Sequence, residues 1–219
     1  CACFTYKHIQ THTNTYKHIQ IHTNTYKPYL LTLSKKPTMS LDLIMGPMFS
    51  GKSSELIRRV NRLRTIDHSY IVYNSSDDDR YGVEGVYTHD MKSIQCISVK
   101  TLQPEYTTMR FKTSQTIFID EAQFFKDLFN FVRDAVEIHK KHVVVIGLNG
   151  DSQRRPFGQI QDLIPYCDTI TMLHALCSRC KDGTPGLFSK RMSENSQQIC
   201  VGSIDTYQAV CRSCFLTNE

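Results

Sequence analysis

The sequence has no apolar run long enough to span a bilayer, and its longest runs, such as Val143–Leu148, have the length of a buried strand. The N-terminal segment has no apolar core and therefore no signal-peptide pattern, so we expect a cytoplasmic protein without a membrane role. Residues 1–39 contain five lysines and no Asp or Glu. Subtracting these five from the 26 basic residues leaves 21, which balance the 21 acidic residues, so the main domain is expected to be neutral.

Residues 1–38 are built on a decapeptide repeat, which begins at Thr5 and again at Thr15 and Thr25. The repeat is too poor in apolar residues to stack as a structural unit, so a low-complexity tail, expected to be disordered, is the favoured interpretation. Its histidines have the i, i+4 spacing of metal ligands, which is the alternative: His8, His12, His18 and His22. Because Met39 precedes the first predicted strand, we expect the folded protein to begin near Met39 and the tail to be a translated upstream repeat without function.

Beyond the tail, strand-like apolar runs alternate with apolar residues at helical spacing. Four segments are predicted as strands: Leu41–Met45, Tyr70–Tyr73, Ile117–Ile119 and Val143–Leu148. Helices are predicted over Ser53–Thr65 and from Phe125 to Val136, and the polar segment Ser75–Lys92 is expected to be a loop. This alternation predicts an α/β fold with a parallel sheet, followed after about Thr169 by a smaller module of short strands.

A glycine-rich segment follows the first predicted strand and leads into the first predicted helix. Its sequence, GPMFSGKS, fits the pattern G-x-x-x-x-G-K-[ST], whose backbone N–H groups and helix N-terminus bind phosphates. Lys52 is expected to reach the β- and γ-phosphates, and the Ser53 hydroxyl to bind Mg²⁺. The pattern predicts an ATP site over the whole segment: Gly46, Pro47, Met48, Phe49, Ser50, Gly51, Lys52 and Ser53. A chance match in a loop is the alternative, which the flanking strand and helix disfavour.

Two acids, Asp120 and Glu121, follow the predicted strand Ile117–Ile119. A carboxylate at the end of a neighbouring strand is typical of the magnesium ligand in enzymes with such a loop, which is the role we expect for Asp120. Glu121 is then expected to be the general base that accepts the proton of an incoming hydroxyl. The alternative for Glu121 is a solvated acid at the start of a helix, where negative charge suits the helix dipole.

Four of the nine cysteines form two Cys-x-x-Cys pairs, Cys177 with Cys180 and Cys211 with Cys214. Without a secretory signal, such pairs predict metal ligands in a reducing compartment rather than disulfides. Four thiolates close a tetrahedral site, so we expect a structural Zn²⁺, with the intervening 30 residues projecting as a loop. Four unrelated core cysteines are the alternative. Three further cysteines are expected to be buried small apolar residues: Cys96, Cys167 and Cys200.

The motifs together resemble the zinc-containing, animal- and poxvirus-like class of thymidine kinases, from about Leu43 to Phe215. In order, the matching segments are the phosphate loop, Asp78–Tyr81, Thr88–Asp90, Ile119–Phe125, Gln153–Gly158, Phe188–Arg191 and Tyr207. The resemblance implies a P-loop NTPase-type parallel sheet in a kinase domain at 39–168. A zinc-ribbon domain at 169–219 then carries a lasso loop that closes over the nucleoside. The implied reaction transfers the ATP γ-phosphoryl group to the 5′-hydroxyl of thymidine, giving dTMP for nucleotide salvage.

The resemblance also implies roles for individual residues. Glu121 matches the catalytic base, while Lys52, Ser53 and Asp120 match residues that handle phosphates and Mg²⁺. The other implied phosphate ligands are Asp78, Asp79, Arg80 and Gln123. The implied nucleoside site combines apolar walls, polar side chains and lasso backbone groups: Met48, Phe124, Leu148, Phe157, Ser152, Ser189, Tyr207, Gln198, Ile199, Cys200, Val201 and Gly202. For each apolar residue taken alone, ordinary core packing is the alternative.

Two positions depart from the family pattern. Ser152 stands where the family usually has a Phe against the nucleoside, and we expect a looser base pocket. Ser203 stands where a second Gly usually follows Gly202, and we expect a stiffer lasso. The resemblance further implies a homotetramer, dTTP as a feedback inhibitor and deoxyuridine as a second candidate acceptor.

Two other functions are compatible with single motifs. Asp120–Gln123 superficially resembles a helicase motif, but the chain has no room for a second motor lobe. A zinc ribbon with a vestigial phosphate loop would bind nucleic acid instead. Between the cysteine pairs, three acids balance the charge of three basic residues: Asp182, Glu194 and Asp205 balance Lys181, Lys190 and Arg191. This segment therefore lacks the excess positive charge that binds a phosphodiester backbone. We therefore expect thymidine and ATP as ligands and no nucleic-acid partner.

Overall fold

A six-stranded parallel sheet forms the centre of the structure, a computed structural model that describes residues 39–76, 86–87, 93–192 and 206–217. The predicted tail lies outside these residues. The strands, in chain order, are β1 (Ser40–Gly46), β2 (Tyr70–Ser75), β3 (Val86–Tyr87), β4 (Ser93–Ile94), β5 (Ile97–Val99), β6 (Thr116–Ile119), β7 (His142–Leu148), β8 (Thr169–Met172), β9 (Ala175–Leu176), β10 (Pro185–Gly186), β11 (Phe188–Arg191) and β12 (Tyr207–Val210). The large sheet has the order β5-β2-β6-β7-β1-β8. Three antiparallel pairs, β3 with β4, β9 with β10 and β11 with β12, complete the described strands.

The described α-helices are α1 (Lys52–Arg64), α2 (Met109–Thr113), α3 (Leu128–Glu137) and α4 (Arg212–Leu216), with 3₁₀ helices at Gln103–Thr107, Ala122–Phe124 and Gln161–Tyr166. The helices α1 and α3 cover opposite faces of the large sheet, whereas α4 packs against β11. Because successive strand residues point to opposite faces, Ile44 and Val144 pack with the apolar side of α1, whereas Leu43 and Val145 pack with that of α3. The central strand β7 is thus covered on both faces, which explains its apolar, β-branched sequence. The predicted α/β fold is confirmed, and the four predicted strands lie within two residues of their expected bounds.

Three local predictions are wrong. The segment Ser75–Lys92 is not wholly a loop, because β3 pairs with β4 within the described part. The second helix begins at Leu128 rather than near Phe125, which is buried in extended backbone after the 3₁₀ helix. Cys96 is buried as expected, but Cys167 is partly exposed. It packs against the edge of the core, and its thiol donates to Ile164 O at the end of the 3₁₀ helix Gln161–Tyr166.

The cysteine-bearing part of the chain follows β8. All described residues belong to one unit, Lys35–Glu219, and its division at residue 168 stays a prediction. The strand β8 lies beyond that boundary but pairs with β1 in the large sheet. Among the described residues, no helix combines the length and apolar character that crossing a membrane requires.

Candidate active site

The phosphate loop connects β1 to α1 at the carboxyl edge of the sheet. A Cβ at Gly46 would meet Leu173 O at 2.5 Å and Ser50 Oγ at 2.6 Å, so this close approach requires glycine. Gly51 precedes α1 with φ of 83°, a conformation that glycine adopts without strain. The first N–H groups of α1 have no helical partner and are therefore suited to bind an anion at the loop.

The side chains of the loop fit a phosphate ligand. Lys52 is buried, and its Nζ donates to Pro47 O at 2.7 Å, which holds the ammonium group against the loop. Ser50 Oγ is buried and has no hydrogen-bond partner in the part of the chain that the structure describes. A buried hydroxyl without a partner is costly, and a phosphate oxygen would relieve this cost. The loop is therefore suited to hold the phosphates of a nucleotide.

The two predicted acids lie at the same edge of the sheet, with β7 between β6 and β1. Asp120 is only 4% exposed; its N–H donates to Tyr73 O and its Oδ1 accepts the N–H of Glu121 at 3.0 Å. Glu121 is partly buried and has φ of 47° where the 3₁₀ helix Ala122–Phe124 begins. A non-glycine residue in the left-handed region is strained, and such strain is concentrated at functional sites.

A glutamine connects Glu121 to the end of β7. Gln123 Nε2 donates to Glu121 Oε2 at 2.5 Å, and Gln123 Oε1 accepts the N–H of Leu148 at 3.1 Å. Gln123 is 4% exposed, so its amide lies beneath the acid rather than at the protein surface. The family resemblance implied a phosphate ligand at this position, whereas the observed partners of its amide are protein atoms.

The predicted apolar walls of the nucleoside site are partly brought together. Phe124 and Phe157 meet edge to face, with 5.6 Å between ring centroids. Ser152, at the position where the family usually has a Phe, is partly buried in the loop after β7. Asp151 shapes this loop, because its buried Oδ1 accepts the N–H groups of Gln153 and Arg155 at 2.8 Å. No role was predicted for Asp151.

The two cysteine pairs converge on one point, as predicted. The Sγ atoms of Cys177, Cys180, Cys211 and Cys214 all lie within 4.8 Å of one another. The distances from Cys180 Sγ are 3.8 Å to Cys211 Sγ and 3.5 Å to Cys214 Sγ. Four sulfurs around a tetrahedral zinc ion are about 3.8 Å apart, since each Zn–S bond measures about 2.3 Å. The quartet therefore fits a structural zinc ion.

The thiols of this quartet do not ionise equally. Burial raises the pKa of Cys177, but backbone N–H donors, including that of Cys211, outweigh it and lower the pKa to about 6. Hydrogen bonds with Cys214 and the other thiols raise the pKa of Cys180 to about 12. Because zinc ligands bind as thiolates, a bound cation would favour the ionised form of Cys180.

The cysteine-bearing part of the chain, which includes β9 to β12 and α4, is attached to the phosphate loop and to the loop after β7. Ser189 is buried in β11, and its Oγ accepts the N–H of Met48 at 2.9 Å. The guanidinium of Arg154 lies 4.5 Å from the ring centroid of Phe215 and 5.6 Å from that of Phe188. The guanidinium of Arg212, in α4 of the cysteine-bearing part, lies 5.0 Å from the ring centroid of Phe188. No role was predicted for Arg154.

The remaining predicted ligands divide into two groups. Tyr207 is buried in β12, and its hydroxyl accepts from Arg191 Nη2 at 2.6 Å and from Arg191 Nε at 3.1 Å. The other predictions lie outside the described residues: Asp78, Asp79, Arg80, Gln198, Ile199, Cys200, Val201, Gly202 and Ser203. Their roles stay predictions.

Sequence reasoning missed how Gly147 and Gly158 serve this site. A Cβ at Gly147 would meet Gln123 Oε1 at 2.6 Å, and one at Gly158 would collide with the Gln123 backbone. An isolated glycine inside a strand of β-branched residues marks a close approach, so Gly147 was a signal that the sequence carried. No comparable signal identified Arg154.

Comparisons with known proteins agree with this arrangement. The family model described as thymidine kinase matches residues 39–215. The thymidine kinase of fowlpox virus is 38% identical over 182 residues, covering 82% of this chain and 98% of that protein. That of Variola virus is 38% identical over 177 residues, covering 80% of this chain and 96% of that protein. Thymidine kinase a of Arabidopsis thaliana is 37% identical over 194 residues, covering 87% of this chain and 81% of that protein.

One solved structure is more remote. The ATPase DotB of Legionella pneumophila gives a TM-score of 0.37 at 14% identity, covering 68% of this chain and 44% of that chain, a likeness too low to bear on function. The family match, by contrast, extends over most of the chain and includes the phosphate loop, the strand-end acids and the cysteine quartet. The chain therefore belongs to the thymidine kinase family.

Proposed function

We propose that this protein transfers the γ-phosphoryl group of ATP to the 5′-hydroxyl of thymidine, giving dTMP and ADP. The observation that carries the proposal is a phosphate loop and a strained, partly buried glutamate at one edge of the sheet, in a chain of this family. The loop binds phosphates, and the glutamate is the proton acceptor that an alcohol needs to become a nucleophile.

In the proposed reaction, the thymidine 5′-oxygen attacks the γ-phosphorus, the bond to the β–γ bridging oxygen breaks, and ADP leaves. The carboxylate of Glu121 accepts the proton of the 5′-hydroxyl. The Lys52 ammonium and the N–H groups at the start of α1 stabilise negative charge on the phosphates. Ser53 and Asp120 are the proposed ligands of Mg²⁺, which neutralises phosphate charge when it is bound with ATP.

The remaining parts of the proposal concern substrate closure, assembly and location. We propose that the cysteine quartet holds Zn²⁺ and so fixes both ends of the loop 181–210, which closes over the nucleoside. Phe124 and Phe157 are the proposed walls against the base, because a flat apolar ring needs aromatic partners. A homotetramer, inhibition by dTTP and a cytoplasmic location follow from the family resemblance and the expected reduced cysteines, and they are part of the same proposal.

The experiment is an assay of ADP release with Mg-ATP and a panel of thymidine, deoxyuridine and deoxycytidine. We expect turnover with thymidine, and deoxyuridine is the second candidate acceptor. Glu121→Gln should lower kcat by roughly 10²–10⁴-fold, because the amide cannot accept the proton. Glu137→Gln removes the same charge from an exposed position in α3 and should leave kcat unchanged.

Three outcomes would contradict the proposal or a part of it. A zinc-loaded protein without thymidine-dependent ADP release would exclude the thymidine kinase reaction. Hydrolysis stimulated by DNA rather than by thymidine would favour the helicase-like alternative. If Glu121→Gln retains the wild-type kcat, Glu121 is not the base, whichever acceptor the enzyme uses.

A further inference from the structure

We propose that Gln123 is a positioning residue for Glu121: its buried amide holds the carboxylate of the general base in place against the end of β7. This inference rests on the proposed role of Glu121. It replaces the expectation that Gln123 binds phosphates, and it assigns the residue to the acceptor side of the reaction.

The hydrogen bonds fix which way the amide faces. The backbone N–H of Leu148 only donates, so it must meet the amide oxygen, and the distance to Gln123 Oε1 is 3.1 Å. The NH₂ group must therefore face Glu121, where Nε2 lies 2.5 Å from Oε2. A carboxylate oxygen accepts and an amide NH₂ donates, so both bonds are satisfied in one orientation. A flipped amide would present its oxygen to the carboxylate and would break both.

Packing holds the glutamine from two further sides. Gly147, in β7, leaves no more space than the amide needs, because a Cβ there would stand 2.6 Å from Gln123 Oε1. Gly158 has φ of 63° and packs its backbone directly on that of Gln123. The residue is 4% exposed, and both polar atoms of its amide have protein partners. Gln123 is therefore built as a rigid support for the acid.

Glu121 needs such a support for a physical reason. A glutamate side chain has several rotatable bonds, and catalysis requires one of its conformations. Its backbone already adopts a strained φ of 47°, which directs the residue away from a regular helical position. The amide then fixes Oε2, so proton transfer to the carboxylate begins from a defined geometry instead of from a mixture of rotamers.

The test is a double-mutant cycle in the ADP-release assay, with Gln123→Met, Glu121→Gln and the double variant. Methionine keeps the length of glutamine and removes both hydrogen bonds. We expect Gln123→Met to lower kcat by about 10–100-fold, with KM for ATP and thymidine changed by less than about threefold. In the Glu121→Gln background the same change should lower kcat by less than about threefold, because the base it positions is already gone.

The matched control is Gln159→Met. Gln159 Oε1 also accepts a backbone N–H, that of Phe129 at 2.9 Å, but this bond lies at the start of α3 and not at the end of β7. This variant should keep the wild-type kcat, which separates positioning of the base from the general loss of a glutamine hydrogen bond. If Gln123→Met yields no folded protein, Gly147→Ala provides the same test, because it crowds the amide oxygen and keeps the glutamine.

Three results would overturn the inference. A raised KM for ATP with unchanged kcat in Gln123→Met would return Gln123 to phosphate binding. An equal loss of kcat in both backgrounds would assign it a general structural role, and a wild-type kcat would leave it without a role. Retained activity in Glu121→Gln alone is a different failure, since it removes Glu121 as the base and with it the proposed mechanism.

Discussion

Replacing Gly147 by alanine tests whether the Gln123 amide beneath Glu121, the proposed general base, controls turnover, without altering any reacting group. The new Cβ would stand 2.6 Å from Gln123 Oε1, where ordinary contacts begin at 3.4 Å, and under 3.0 Å from Ile160 Cδ1. The oxygen must therefore retreat by about 0.8 Å, which weakens or breaks its bond to the Leu148 N–H. Overpacking of this kind costs about 1–3 kcal/mol.

Two quantities should change together in Gly147→Ala. For a chain of this size the melting temperature should fall by about 2–12 °C, as 1–3 kcal/mol of lost stability predicts. The kcat for thymidine should fall by about tenfold, with KM for ATP nearly unchanged, because the displaced amide no longer fixes Glu121. Thermal unfolding and the ADP-release assay measure these two effects separately.

A second substitution separates packing from positioning. Ile160→Val removes the Cδ1 atom that meets the new Cβ, so Gly147→Ala/Ile160→Val should recover part of the lost stability. The clash with the Gln123 amide remains in this variant, and kcat should stay low. If kcat recovers together with the melting temperature, Gly147→Ala acts through core packing, and the claim that the Gln123 amide positions Glu121 is refuted.

Removing zinc by chelation should lower both the melting temperature and thymidine turnover, because the ion joins the two cysteine pairs. Adding back about one zinc ion per chain should restore both. A zinc-free protein with unchanged stability and turnover would exclude this role of the quartet around Cys177 and Cys211. Arg154→Met should raise KM for thymidine by about two- to fivefold, the worth of an exposed cation–π contact. The control is Arg212→Met, which removes a similar contact with Phe188 but leaves the loop after β7 intact, so KM for thymidine should not change. Equal changes of KM in both variants would contradict a specific role for Arg154.

The elements that sequence reasoning found share a strong apolar pattern. The apolar runs at β1, β6 and β7 are short, as strands covered on both faces are, and the helical spacing at α1 reflects one buried side. The errors occurred where that signal is weak. β3 and β4 have two residues each, too few for a period, and the buried side chain of Phe125 resembles a helical position although its backbone is extended.

The candidate site was predictable to the extent that its residues are adjacent in sequence. The phosphate loop, the pair Asp120 and Glu121 and the two cysteine pairs each form a local motif, whose chemistry follows from residue type and spacing. The support of Glu121 was not predictable in this way, because it joins Gln123 to Leu148, in a strand 25 residues away. The orientation of the Gln123 amide depends on the backbone N–H of Leu148, and residue types in a sequence do not show which backbone groups a side chain will meet.

The sequence by itself determined the chemistry that we propose for this protein: a loop for phosphates, a candidate base beside a candidate magnesium ligand, and four cysteines that fit a zinc ion. It did so because these functions need particular side chains at fixed spacings along the chain. The tertiary structure decided how these parts are joined. It set the Gln123 amide beneath Glu121, Ser189 on the phosphate loop and Arg154 on Phe215. Such contacts depend on how strands and loops distant in sequence pack in three dimensions, which residue type and spacing alone do not specify.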